Sequence, residues 1–194
     1  LTERGREQAE ALRHHLAPIA FDRVFSSPLD RCVETATLVS GHAQERITTI
    51  PNLREVEPGQ LGGLSSQDLA KSCLSVFENA TPERTFLGGE TFASLADRTQ
   101  TSVHSILNDP TWKTCLIVAH EVVNRAILTH ALSADVSIFN QLEQEECALN
   151  LLDVTDEGHF IVRLMNYMAY DPLSQGHHSR SMERLATALS TGEE

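Results

Sequence analysis

The sequence predicts an α/β protein with a mostly parallel central sheet flanked by helices, and three observations carry that reading. First, the run from Thr114 to His120 is apolar until it ends abruptly in the histidine, after which Val123, Ala126, Ile127 and Ala131 recur at spacings of three and four. A stretch without polar alternation, residues 116–119, needs cover on both faces, as an inner strand of a parallel sheet has, and the amphipathic stretch behind it packs back as a helix. Second, residues 21–27 repeat the strand-to-helix step, with Pro28 pre-set for a first helical turn. Third, 194 residues are one domain's worth, enough for a sizeable core and one site.

Taken in order, the chain opens on Leu1 and enters a helix with no strand before it, so we expect that processing or truncation has removed an upstream segment. Thr2 caps this helix, and Ala9, Leu12, Leu16 and Ile19 form its apolar stripe through about residue 17, with His14 and His15 near its end. The strand over 21–27 runs into a helix whose buried face is Leu29, Cys32, Val33 and Ala36 and whose stop is Gly41. Arg31 lies off that face beside two serines. A guanidinium there suits bidentate recognition of phosphate or carboxylate, although the local pattern alone also fits a solvated surface ion pair.

Residues 47–50 form a weak strand ended by Pro51. The glycines and proline of residues 52–63 then exclude a long helix and predict an ordered loop over one end of the sheet, where Glu55 and Glu57 place two carboxylates suited to acid–base work. Ser65 caps a helix with Leu69, Cys73, Val76 and Phe77 inward. A second helix over 91–107 buries Phe92, Leu95, Ala96, Val103 and Ile106, with His104 at its edge. His120, at a strand's carboxyl end and a helix's amino end, is where open α/β sheets hold ligands and free N–H groups favour an anion; a satisfied cap histidine fits that stretch equally. A short helix over 134–142 follows, then a hairpin at a sheet edge from residues 147–154 and 160–165 around Asp156-Glu157-Gly158. Beyond Asp171 the chain is polar, with a helix over 181–189, His177-His178 in a solvated stretch and a frayed end at 191–194. The expected division is a domain over 1–170 and a polar extension over 171–194.

A formal net charge of −12 argues against nucleic acid or an anionic membrane as partner. There is no apolar run of ~20 residues and no basic-then-apolar opening. The four cysteines, with no C-x-x-C pair, read as reduced thiols of a cytoplasmic protein. No P-loop, dinucleotide fingerprint, zinc spacing or internal repeat is present.

Five segments in this order resemble the histidine phosphatase superfamily, also called phosphoglycerate-mutase-like: Leu1-Thr-Glu-Arg-Gly-Arg-Glu-Gln-Ala9, Ser26-Ser-Pro-Leu-Asp-Arg31-Cys-Val-Glu-Thr-Ala36, Leu53-Arg-Glu55 with Gly59, Gly88-Gly-Glu-Thr91, and Leu116-Ile-Val-Ala-His120. The resemblance runs from Leu1 to about Asn166. It implies a three-layer sandwich that removes a phosphoryl group from a small phosphorylated substrate through a phosphohistidine, without metal or cofactor. Arg31 matches the phosphate-clamping arginine, His120 the second pocket histidine, and Glu55 the acid that protonates the leaving oxygen.

Two departures stand out. The family's nucleophile lies in an Arg-His-Gly motif ending the first strand, and that motif is absent here, so the resemblance implies that this strand is missing and that the chain as given is inactive. Glu121 stands where the family often has a small or polar residue, and a carboxylate there must point away from an anion pocket. The competing readings are a phosphoglycerate-mutase-type transferase and a non-catalytic module binding a phosphometabolite or a protein. The short polar interval between Gly63 and Gly89 favours a phosphatase over a mutase.

Overall fold

Three short parallel strands set the centre of the molecule. In the computed structural model, which describes residues 1–60, 65–175 and 179–191, β1 (Arg23–Ser26) lies between β2 (Ile47–Thr49) and β3 (Cys115–Val118). The register is Val24↔Ile47 on one side and Val24↔Leu116, Ser26↔Val118 on the other. β1 and β3 therefore finish level, which brings the residues after them, Ser27 and His120, to the same rim.

Alternate side chains of β3 enter different layers, as a strand's period of two requires. Leu116 and Val118 join Ala9, Leu12 and Leu16 of α1 (Glu3–Leu16) and Ala36 and Val39 of α2 (Asp30–Ser40). Ile117 and Ala119 meet the other layer, where Phe92 and Leu95 of α4 (Phe92–Leu107) and Val122, Val123 and Ala126 of α5 (Glu121–Ala131) pack with Leu53, Phe77 and Phe139. Each fully buried valine, leucine or phenylalanine among them stabilises the fold by about 1.5–3 kcal/mol. Caps fall where the sequence puts them: Thr2 accepts from the Gly5 amide at 3.1 Å, Thr91 from that of Ser94, and Ser65 from that of Asp68 at the start of α3 (Ser66–Ser75). Gly41 ends α2 at φ +68°, the left-handed region its missing Cβ permits.

Three expectations need adjusting. β3, read as an inner strand, pairs with β1 alone among the described residues. The hairpin exists, with Gly158 turning it at φ +82°, but β4 (Leu149–Val154) and β5 (Phe160–Tyr167) form a separate antiparallel pair and not an edge of the main sheet. Every residue of β3 and of β4 lines one cleft of about 2030 Å³. The segment over 134–142 is a 3₁₀ turn, Val136–Gln141, that delivers Phe139 to the core.

The helix beyond residue 180 is present as α6 (Ser181–Thr191), and its Ala186 is buried with Ala70 and Cys73 of α3. All four cysteines are free, Cys32 and Cys73 buried, Cys115 and Cys147 half-buried. His177-His178, Gly62-Gly63 and residues 192–194 lie outside the described residues. No described helix is long and apolar enough to cross a membrane.

Candidate active site

The apolar strand β3 ends because His120 takes the N-cap position of α5, extended at φ −131°. Its neighbour across the sheet is Ser27, whose amide donates to the Val118 carbonyl at 2.9 Å. The two side chains meet: His120 Nε2 lies 2.7 Å from Ser27 Oγ. Arg31, the second residue of α2, reaches over from the solvent side and places Nη2 3.0 Å from His120 Nδ1. A guanidinium can only donate, so Nδ1 accepts, and Nε2 carries the ring proton and donates to Ser27. Cys32, on the buried side of α2, donates to the Ala119 carbonyl at 3.2 Å with Sγ 3.5 Å from His120 Nε2. Burial pushes this thiol up to about 11, so it stays a neutral packing group.

Glu55 lines the same cleft as Arg31 and His120. Its carboxylate accepts the amides of Val56, at 2.8 Å, and Val122, so it sits on the free N–H groups opening α5. It makes no hydrogen bond to Arg31 or His120. Glu57 points elsewhere, paired with Arg54 at 2.8 Å.

The loop holding Glu55 is tied from behind. Arg98 of α4 grips Glu90 with both prongs, at 2.7 and 2.9 Å, and also donates to the carbonyls of Asn52, Arg54 and Glu55. Beside it two loops cross backbone to backbone: a Cβ on Gly89 would stand 2.2 Å from the Glu57 carbonyl oxygen, and one on Gly59 2.6 Å from the Gly88 carbonyl carbon. Only glycine fits either position.

Glu121 does point aside. Its Oε1 accepts from Arg125 Nη2 and from Ser181 Oγ, both at 2.7 Å. Arg125 is itself 1% exposed, bonded to the Phe139 carbonyl and stacked 4.5 Å over the Phe77 ring. Ser27, Arg98, Arg125 and Ser181 were not legible as site residues. Ser27 is the exception in principle, since a serine closing one parallel strand meets whatever closes its neighbour. Among the described residues no three His, Cys, Asp or Glu side chains gather as a metal site.

Burial dominates both titrating groups. It pushes the Glu55 carboxyl up to about 7, with Glu121 adding to the rise and the Val56 amide and Arg31 opposing it. It pushes the His120 imidazole down to about 4, helped by Arg31 and Arg98. The folded state thus binds Glu55's proton more tightly than the unfolded chain, so this group costs stability as pH rises from about 4.5 to 7. His120 must charge against burial, so it costs stability as pH falls from 6.5 to about 4. The two slopes oppose each other in the overlap, each at most about 1.4 kcal/mol per pH unit. Urea midpoints across pH should show the difference: Glu55→Gln steepens the rise of stability with pH, and His120→Gln turns it toward a fall.

Taken together, the rim holds one exposed guanidinium, a neutral imidazole with a fixed tautomer, a carboxyl half protonated near neutral pH, and the amino end of a helix. That set suits a tetrahedral oxyanion that is clamped, and an ester oxygen that receives a proton.

A family model described as "Histidine phosphatase superfamily (branch 1)" matches residues 1–167. A protein of Arabidopsis thaliana described as a probable 2-carboxy-D-arabinitol-1-phosphatase is 29% identical over 184 residues, covering 91% of this chain; the chain spans 38% of that relative's length. Phosphoserine phosphatase 1 of Hydrogenobacter thermophilus is 24% identical over 167 residues, 84% of this chain and 79% of its own. The crystal structure of alpha-ribazole phosphatase from Shigella flexneri superposes with a TM-score of 0.73 at 24% identity, over 87% of this chain and 84% of that one, a likeness of fold.

Proposed function

The chain belongs to the histidine phosphatase superfamily, and on that footing we propose that the complete protein hydrolyses small phosphomonoesters through a phosphohistidine intermediate. The observation that supports this most is the meeting of Arg31 and His120, 89 residues apart in sequence, at 3.0 Å on the amino end of α5, with Glu55 in the same cleft. In this reading Arg31 clamps the non-bridging oxygens. His120 hydrogen-bonds the phosphoryl group, whose negative charge favours the imidazolium that burial otherwise suppresses. Glu55, with its carboxyl near 7, protonates the leaving ester oxygen as the P–O bond breaks, then takes a proton from the water that attacks phosphorus and releases phosphate from the nucleophilic nitrogen. A charge-spread phosphoryl transition state asks for this kind of positioning and clamping.

The nucleophile of this scheme has no candidate among the nine histidines here, none of which stands in an Arg-His-Gly motif. The proposal gives it to an extended segment outside the 194 residues, lying in the cleft between β3 and β4. Every residue of both strands lines that cleft, and among the described residues each of the two strands pairs on one side only. The chain as given should then bind phosphate and not turn over. In a p-nitrophenyl phosphate assay it should fall at least about a thousandfold below the natural longer chain, the usual consequence of a lost nucleophile. Equal rates in the two would overturn the assignment of the nucleophile; no hydrolysis in either would leave the chain a phosphometabolite-binding module.

A further inference from the structure

The reading of the rim as a phosphomonoesterase site carries a consequence for the alcohol to which the phosphate is attached. Among the described residues, Arg31 is the one uncommitted cation at the amino end of α5. Arg98 is taken up by Glu90 and three carbonyls, and Arg125 by Glu121, Glu143 and the Phe139 carbonyl. Arg54 is paired with Glu57. Lys113 lines the cleft at the opposite end of β3, where its amide binds Asp22. His120 is neutral at ordinary pH. A bound phosphate uses Arg31 and His120, and among the described residues no uncommitted positive charge is left there for a second anion.

Carboxylates, by contrast, are in surplus. Glu55 and Glu121 both line the cleft at this end and feel each other's charge. Glu121 commits only Oε1, to Arg125 and Ser181; no described residue donates to Oε2, and the side chain keeps 20% of its surface exposed. Its position is fixed from both sides, because Arg125 is buried in the core and Ser181 is held by its own amide on Glu143 at 2.8 Å. The free oxygen is thus a rigid acceptor one residue from His120.

We propose that Glu121 is a specificity-determining residue: its unpaired Oε2 accepts a hydrogen bond from a hydroxyl or ammonium group on the alcohol portion of the substrate, and its charge repels esters whose alcohol portion carries a second anion. The substrate class is therefore a phosphate monoester with one anionic group and a donor close to the ester oxygen. This depends on the phosphoryl-binding reading of Arg31 and His120, and it concerns only what lies beyond the phosphate. Like charges brought together at a binding surface cost enough to discriminate by an order of magnitude or more.

The test is calorimetric titration of the 194-residue chain with inorganic phosphate, O-phosphoethanolamine and 2-phosphoglycolate, the last two being of similar size and opposite in the charge of their tails. Inorganic phosphate should bind, and binding of all three should weaken in Arg31→Ala, which fixes the site. O-phosphoethanolamine should bind at least about tenfold more tightly than 2-phosphoglycolate. Glu121→Gln, which keeps an acceptor for Arg125 and Ser181, should shrink that ratio to about threefold or less. Ser181→Ala, which leaves Glu121 charged, should preserve it. Phosphate binding with no preference between the two esters, or a preference that Glu121→Gln leaves intact, overturns the role of Glu121 alone. If inorganic phosphate does not bind, the phosphoryl site itself is refuted and the inference falls with it.

Discussion

Arg31→Ala is expected to weaken binding of inorganic phosphate by about a hundredfold, ~2.7 kcal/mol, with little change in the stability of the fold. Arg31 is exposed and its single polar partner is His120, so folding does not depend on it. The pocket does. Before phosphate binds, with the imidazole held neutral near pH 7 and the carboxyl of Glu55 only half ionised, the guanidinium is, among the described residues, the one full positive charge at the rim to draw in an oxyanion. Arg31→Lys should lose nearly as much, because an ammonium cannot reproduce the planar two-point contact that a phosphate accepts. The measurement is titration of phosphate against each variant; an affinity within threefold of the parent would show that the anion is held elsewhere.

The second large effect is on stability. Arg98→Met should destabilise the chain by about 3–5 kcal/mol, read as a lower urea midpoint at unchanged slope. The ion pair it breaks is nearly closed to water, with side-chain exposures of 10% for Arg98 and 8% for Glu90. Removing Arg98 leaves the Glu90 carboxylate without its cation, held only by the Ser94 hydroxyl and the Glu57 amide, and takes the Arg98 donors from the carbonyls of Asn52, Arg54 and Glu55. Replacing both charges, Arg98→Met with Glu90→Met, should recover a good part of the loss, since an apolar pair of similar volume carries no desolvation cost. If the double variant is as unstable as the single one, the contribution of Arg98 comes from its carbonyl contacts and not from the pair.

The secondary structure was largely legible because it is local. The 3.6-residue stripes of α1, α2, α4 and α5, the capping threonines and serine, and Gly41 each act within one turn of chain, and the structure has them within a residue or two of their expected ends. His120 and Arg31 were legible as candidates for a related reason: each follows a strand end at the start of a helix, a place that has a chemistry of its own. Their mutual approach was not, because it depends on the level register of β1 and β3 across 89 residues. The role of β3 as a strand with one neighbour was misread for a similar cause. An uninterrupted apolar run reports that both faces are covered and says nothing about what meets each edge. The side chains behind Glu55 and Glu121 were hidden most completely. Arg98, Arg125 and Ser181 read as ordinary polar positions on helices, and only the folding of the loop before α4 onto Arg98, the Phe139 carbonyl beside Arg125 and the bond from Ser181 to Glu121 give them their partners.

The crossing of Gly59 and Gly89 has a genetic consequence. Each position tolerates nothing larger than a hydrogen atom, because the obstacle is main chain and cannot swing aside. A single added methyl group must force the two segments apart, and Glu55 rides on one of them. A random-mutagenesis survey scored by phosphate binding would therefore return both glycines among its null alleles, although neither has a side chain with which to touch a ligand.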